Sequence, residues 1–355
     1  MRVVRYYPRA AVGDGGMTSA VKQWSEAFAR AGVEAVVAYD RGSPPEGGLA
    51  RWVKVEHKGP PRLRVPLGIS KVLADADLLV LHSGWTLHNL KAASEARKLG
   101  VPYILEPRGA YDPHIVRRKE LVKDAWWTAG ERKLVKEASA IHVFFEAERE
   151  HLAAIGYSGP TIVASNGVEE QAIRWSGAGD YILWLGRFDP QHKGLDLLLE
   201  GLRRIAPVDR PQLRIQGPDW RGRKQGIARL AERLGLSQWT HVGDPVYGPE
   251  KKDLLAGSAA FVYPSRWDAC PNAVLESVAM GVPTVATPYP LGSYLAGRDG
   301  AILAAAHPDE IATALVTAVS PAAALIGATG AQVAAEDLTW DAVAGSWLEQ
   351  ALVVA

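Results

Sequence analysis

The stretch YILWLGRFDPQHKGLDLLLE, residues 181–200, decides how the chain is read. Tyr181 to Leu185 form a short apolar run closed by a glycine, the pattern of a buried strand. Leu195, Leu198, Leu199, Leu202 and Ile205 then recur at helical spacing and mark one face. Between them Gly186 opens a loop, and Arg187 and Lys193 flank the turn before the helix begins at 194–195. Two cations at the carboxyl end of a strand, beside a helix N-terminus, make a site for a diphosphate. Arg can bridge two phosphate oxygens, whereas Lys acts as a movable point charge. Taken alone, the same residues also fit a solvated loop with a Lys-Gly helix start.

The strand-then-helix rhythm extends in both directions. Toward the C-terminus LRIQG, THVG, FVYPS and PTVAT read as strands, separated by helices that include IARLAERLG and AVLESVAM. Toward the N-terminus residues 3–7 read as a strand entering a loop with Gly13, Gly15 and Gly16. A helix follows with Val21, Trp24, Phe28 and Ala31 on one face, and Gly32 stops it before the strand VEAVVAY. Further strands are expected at 77–81 and 101–105. Alternating strands and helices of this kind imply mostly parallel sheets covered on both faces. The polar, Gly-containing segment EEQAIRWSGAGD, 169–180, reads as a linker. The expected architecture is therefore α/β, with two Rossmann-like doubly wound domains. The first covers 1–170 and is joined by a C-terminal helix at 341–355; the second covers 178–335. Such domains bind ligands at the carboxyl ends of their strands, here in a cleft between the two.

The chain has 355 residues, a length that suits two domains. Forty basic residues against thirty-nine acidic ones give a net charge of +1, without the basic excess of a general nucleic-acid binder. A single cysteine excludes an internal disulfide framework and suits a reducing compartment. No run approaches the roughly 18 apolar residues of a membrane span, and the N-terminus reads as a strand rather than a leader. A cytoplasmic location is expected.

The second informative segment is RWDACPNAVLESVAMGVPTVAT, which follows FVYPS. Asn272 is the expected N-cap of a helix opened by Ala273, with Glu276 in its first turn and a half. Pro271 has no N–H, but Ala269, Cys270, Asn272 and Ala273 carry backbone donors that can face an anion. Asp268 and Glu276 stand eight residues apart, one on the loop and one in the helix, and can reach different parts of a polyhydroxylated ligand. The plainer alternative is a helix-dipole Glu and a turn-capping Asp.

Taken together these residues resemble the family 4 retaining glycosyltransferases. The carrying motifs are Gly186-Arg187, Lys193-Gly194, Pro264-Ser265, Asp268, Glu276 and Gly281-Val282-Pro283-Thr284, with GDGGM, EPRGAYDP and SNGV in the N-terminal half. The resemblance spans nearly the whole chain. It implies the GT-B fold, with the C-terminal helix crossing back to the first domain, and transfer of a hexosyl unit from a nucleoside-diphosphate sugar to a hydroxyl acceptor. Arg187 and Lys193 would bind the donor diphosphate and stabilise it as it leaves. Glu276 would hydrogen-bond the ribose, and Asp268 would hold hydroxyls of the donor sugar. Amides from Cys270 through Pro271 and Asn272 to Ala273 would contact sugar and phosphate. Gly15 and Gly16 would bring the N-terminal backbone to the phosphates. His241, Val242 and Gly243, with Gln216, Gly217 and Pro218, would line the nucleotide pocket beside Gly186. Two departures stand out. The first carboxylate of the pair is usually Glu, and here it is the shorter Asp268. Many members place a His where this chain has Arg108, which would contact a phosphate or the acceptor.

UDP and GDP donors are both compatible, and no Asp-rich cluster points to a metal, so no cofactor or divalent cation is expected. The N-terminal motif resembles enzymes that glycosylate polysaccharides, lipid-linked glycans and natural products. His82, in LHSGW, is either an acceptor contact or a buried histidine. Cys270 invites a nucleophile reading, although a small loop residue suffices there. Residues 117–136 hold seven Lys or Arg (117, 118, 119, 123, 132, 133, 136) against three acids, with Trp126 and Trp127 between them. Such a helix either rests peripherally on the anionic inner face of a membrane or is solvated with its Trp packed inward. The rival functions are a nucleotide-sugar epimerase, a phosphorylase of the same fold, or a non-catalytic bilobal sugar-binding protein. Activity without an acceptor, or dependence on free phosphate, would reveal the first two.

Overall fold

The computed structural model describes residues 1–355 except 12–14, 61, 62, 119, 178 and 355. Gly13, Asp14 and Lys119 of the reading above, and the domain ends at 178 and 355, therefore lie outside the described residues. The chain divides into two compact units, Met1–Gly167 with Trp340–Ala355, and Val168–Thr339.

In the first unit seven strands pair in the order Arg51–Lys54, Glu34–Arg41, Arg2–Ala10, Leu78–His82, Tyr103–Glu106, Ala140–Val143 and Thr161–Val163, all parallel. A small antiparallel hairpin, Glu56–Lys58 with Val65–Leu67, stands apart. A parallel sheet is covered on both faces, so its strands are mostly apolar, and every residue of Leu78–His82 is buried. On one face Val4 and Tyr6 pack with Leu73, Ala92, Ala96 and Leu134. On the other Val3 packs with Trp24, Phe28 and Trp347. Trp347 comes from the last helix, Trp340–Val354, which lies on the first helix, Gly15–Arg30, and is clipped there by an Arg30–Asp341 ion pair at 2.6 Å. Ala31, expected on the buried face, is exposed, because the helix ends at Arg30 and Gly32 turns the chain with φ 81°.

The second unit has six parallel strands in the order Thr240–Gly243, Gln212–Gln216, Tyr181–Leu185, Ala260–Tyr263, Thr284–Ala286 and Ile302–Leu303. The helix Leu195–Arg204 buries Leu195, Leu198, Leu199 and Leu202, the face read from the sequence. Segment 169–180 is not a free linker. The Trp175 indole donates to the Ser258 carbonyl at 2.7 Å and Arg174 donates to Ala279 at 2.8 Å, so this stretch is docked on the second unit. The chain enters that unit earlier, at Val168.

Both sheets have the doubly wound order in which the direction of strand progression reverses beside the first strand. In the second unit this switch point lies between Tyr181–Leu185 and Ala260–Tyr263. Open α/β sheets bind ligands in the crevice that such a reversal creates. The loops leaving those two strands are 186–193 and 264–271, the two segments singled out by the sequence. Among the described residues no single helix is long and apolar enough to cross a membrane.

Candidate functional site

At the switch point of the second unit the first requirement is close approach of backbone. A Cβ at Gly217 would lie 1.7 Å from the Gly186 carbonyl oxygen, and only glycine allows that contact. The Gly186 amide donates to Gln216 O at 3.1 Å across the same seam. Gly194 has φ 67°, and its missing Cβ would sit 1.8 Å from the Pro264 carbonyl oxygen. The turn after Lys193 is thereby pressed onto the loop that carries Asp268.

That contact pairs the side chains. Lys193 is only 8% exposed; its ammonium forms an ion pair with Asp268 Oδ2 and lies 5.2 Å from the centre of the Tyr263 ring. The Tyr263 hydroxyl donates to the same carboxylate oxygen at 3.1 Å. Burial alone would raise the Asp268 pKa, but Lys193, His192 and these hydrogen bonds hold it below the ordinary carboxylate value. Arg187 is exposed. Its guanidinium carbon stands 4.8 Å from the Trp220 ring centre, and its Nη2 is 3.3 Å from His192 Nδ1. The arrangement is a buried cation and an exposed one on a single loop, with a carboxylate tied to the former.

Glu276 lies on the helix Asn272–Ala279 and is paired with Lys251 at 2.7 Å. Lys251 had gone unremarked in the sequence, because its helix, Gly248–Ala256, shows only a run of ordinary surface charges. Asn272 is not the N-cap. The cap position is Pro271, whose carbonyl already accepts from Val274 at 3.0 Å and Leu275 at 3.3 Å, so the helix starts one residue early. Asn272 and Ala273 supply its first amides, behind the buried Cys270. Val242 and Gly243 end the edge strand and pair with Ile215 and Gln216, which places them next to Gly217.

The remaining predicted residues belong to the first unit. Gly15, with φ 67°, and Gly16 are exposed and open the helix Gly15–Arg30. Arg108 is committed to a buried carboxylate: its Nη2 lies 2.6 Å from Glu106 Oε1, and its guanidinium carbon is 5.6 Å from the Phe144 ring centre. Glu106 also meets Arg5 Nη1 at 3.2 Å, His82 Nδ1 at 3.2 Å and His142 Nδ1 at 3.5 Å. Burial would raise the Glu106 pKa, yet Arg108, His82 and His142 hold it well below the carboxylate range. Burial pushes His82 down to about 4, so it is a neutral buried histidine. Arg108 adopts φ 52°, a left-handed conformation that costs a non-glycine residue about 1–3 kcal/mol. Arg5 was missed, though its signal was present. A charged residue in the middle of an apolar strand, RVVRYYPRA, must find a partner when both faces of the sheet are covered.

Residues 117–136 do not form one helix. Glu120–Trp126 passes through a wider turn at Trp127–Glu131 into Arg132–Lys136. The backbone departs from helical geometry at Gly130, and next to it Glu131 is a buried carboxylate that accepts from Trp85 N at 2.8 Å, Tyr111 Oη at 2.7 Å and Trp126 Nε1 at 3.1 Å. Trp127 packs on the core with Trp85. Both indoles are therefore drawn inward. The solvent face carries Leu121, 86% exposed, and Val122, 66% exposed, beside exposed Arg117 and Arg118.

Comparison with known proteins follows this division. Residues 15–167 match the model of a glycosyl transferase 4-like domain, and residues 179–320 match that of glycosyl transferases group 1. A search of curated protein sequences returns no match. Among solved structures, sucrose-phosphate synthase from Thermosynechococcus elongatus is similar with a TM-score of 0.76 at 16% identity, over 100% of both chains. HepE from Anabaena in complex with UDP-glucose gives 0.77 at 14% identity, over 99% of this chain and 100% of that one. The lipopolysaccharide outer core galactosyltransferase WaaB, in its apo form, gives 0.73 at 16% identity over 99% of each. At these identities the likeness speaks for the fold.

Proposed function

Because the chain belongs to the family 4-like glycosyltransferases of the GT-B fold, we propose that it moves a hexosyl unit from a nucleoside-diphosphate sugar to a hydroxyl of a carbohydrate acceptor. The observation that carries this reading is the set Arg187, Lys193 and Asp268 at the switch point of the second domain. In such a transfer the bond from the anomeric carbon to the phosphate oxygen breaks, so negative charge grows on the diphosphate and positive charge on the sugar. Arg187, Lys193 and the amides opening Asn272–Ala279 supply positive potential on the phosphate side. Asp268, held ionised by Lys193, accepts from sugar hydroxyls, and Glu276 accepts from the ribose. Retention of configuration and independence from a divalent cation are parts of the same proposal. The first rests on the resemblance to the family 4 enzymes and the second on the two side-chain cations. Complexes of HepE with UDP and with UDP-glucose favour a uridine donor.

The test is a thermal-shift panel of UDP, GDP and ADP run with EDTA present. A diphosphate at about 100 times its Kd adds about 2.7 kcal/mol of stability. A responding base names the donor class. An unmoved transition with all three refutes the diphosphate site.

Leu121 and Val122, exposed between basic residues, favour a second element of the proposal: peripheral contact with an anionic membrane that presents a lipid-linked acceptor. Co-sedimentation with anionic liposomes is expected in the parent and is lost in Leu121→Ser/Val122→Ser. Equal sedimentation of the two proteins, or none by the parent, removes the idea.

A further inference from the structure

We propose that His192 is a positioning residue that fixes the Arg187 guanidinium for its diphosphate contact; the inference rests on the reading of Arg187 as a donor ligand. The argument begins from a backbone carbonyl. His192 Nε2 lies 2.8 Å from Trp267 O, and a carbonyl oxygen only accepts, so Nε2 carries the proton. In a neutral ring Nδ1 then presents a lone pair. That atom stands 3.3 Å from Arg187 Nη2, which only donates. Chemistry at both ends selects one tautomer, and in it the imidazole is a fixed acceptor for Arg187.

The ring itself is immobilised. It stacks on the Trp267 indole, with centres 4.8 Å apart and planes 9° from parallel. The His192 carbonyl accepts from Ser265 Oγ at 2.9 Å and from Arg266 N at 3.0 Å, so backbone and side chain are both anchored to the 264–268 loop. Burial, with Lys193 and Arg187 adding to it, pushes the His192 pKa down to about 4, although Asp268 pulls the other way. The ring thus stays neutral, as an acceptor facing a guanidinium must. Arg187 is otherwise exposed, and an exposed arginine samples many rotamers. His192 on one side and Trp220 on another reduce that freedom before any donor arrives. The sequence hides the role, because His192 sits between the two recognised cations in RFDPQHKG and looks like part of a polar loop.

Calorimetric titration with UDP and UMP separates the possibilities. His192→Phe keeps a stacking ring and removes the acceptor. His192→Gln can donate to the Trp267 carbonyl and accept from Arg187 through one amide. His192→Phe is expected to weaken UDP binding about tenfold while leaving UMP within about twofold, the scale of one charge-assisted hydrogen bond. His192→Gln is expected to stay within about threefold of the parent for UDP. In an Arg187→Ala background His192→Phe adds no further loss, since the group it positions is gone. An equal loss in both backgrounds, an equal loss for UDP and UMP, or no loss in His192→Phe overturns the positioning role. If Arg187→Ala alone leaves the preference for UDP over UMP intact, the failure lies in the reading of Arg187 instead. A parent protein that binds none of UDP, GDP and ADP overturns both, and if another base responds in the thermal-shift panel the same comparison is made with its diphosphate and monophosphate.

Discussion

Replacing Lys193 by alanine lowers kcat by about 10² to 10³, the usual effect of removing one preorganised charge from a developing anion. The site explains why the loss falls on kcat rather than KM. Lys193 is largely buried and held by Asp268 and the Tyr263 ring, so it needs little rearrangement when charge appears on the leaving diphosphate. The same geometry gives the alanine variant a second defect. Without the ammonium, Asp268 keeps the Tyr263 hydroxyl and the Ala269 amide as donors but loses its neighbouring cation, and burial then pushes its pKa upward. While still ionised, it would oppose the diphosphate. Lys193→Ala/Asp268→Asn removes that carboxylate, and is expected to bind UDP better than Lys193→Ala while remaining slow in transfer. Steady-state transfer kinetics read both effects. A single variant within about threefold of the parent would exclude Lys193 from the chemistry, because losing one such contact costs far more than that margin.

Glu106→Leu should destabilise the first domain by about 3–5 kcal/mol, the cost of leaving buried charge without its partner. Arg5 and Arg108 both depend on that carboxylate, and both sit against aromatic rings with little access to water. For a domain of this size the change corresponds to a fall in Tm of roughly 6 to 20 °C by calorimetry. Burial already lowers the Arg5 pKa to about 10 with Glu106 present, so removing the carboxylate takes away the largest influence that opposes burial. Adding Arg5→Met to Glu106→Leu should recover part of the loss by removing one of the stranded cations. A Tm unchanged in Glu106→Leu would mean that the cluster is solvated and that its ion pairs contribute little. The prediction also bears on Arg108. With its guanidinium spent on Glu106, its first effect is expected in the shape of the 107–110 turn.

The doubly wound fold was readable because strands of a parallel sheet must be apolar on both faces, and their runs are short and bounded by glycine. The loop at the switch point of the second sheet was readable for a related reason: Arg187 and Lys193 are cations placed where a strand ends and a helix begins. What could not be read is pairing across sequence distance. Arg5 and Glu106 are separated by 101 positions, and Lys251 and Glu276 by 25, with no local pattern joining either pair. The sequence left open whether Trp126 and Trp127 face a membrane or pack inward, because nothing in a basic helix announces that the Trp126 indole will meet a buried Glu131 or that Trp127 will pack on Trp85. The segment 169–180 has linker composition, yet Trp175 anchors it through an indole hydrogen bond. Asn272 satisfied the composition rule for a cap, but the Pro271 carbonyl took that position in the backbone.

The helix Trp340–Val354 supplies Trp340, Val343, Ala344, Trp347 and Ala351 to a core whose other members come from the first 167 residues. On a ribosome adding 5–20 residues per second, the intervening stretch takes roughly 10 to 30 s to appear. Throughout that interval the nascent N-terminal half presents Trp24 and Phe28 without their partner. The part of the enzyme made first is thus the last to complete its core.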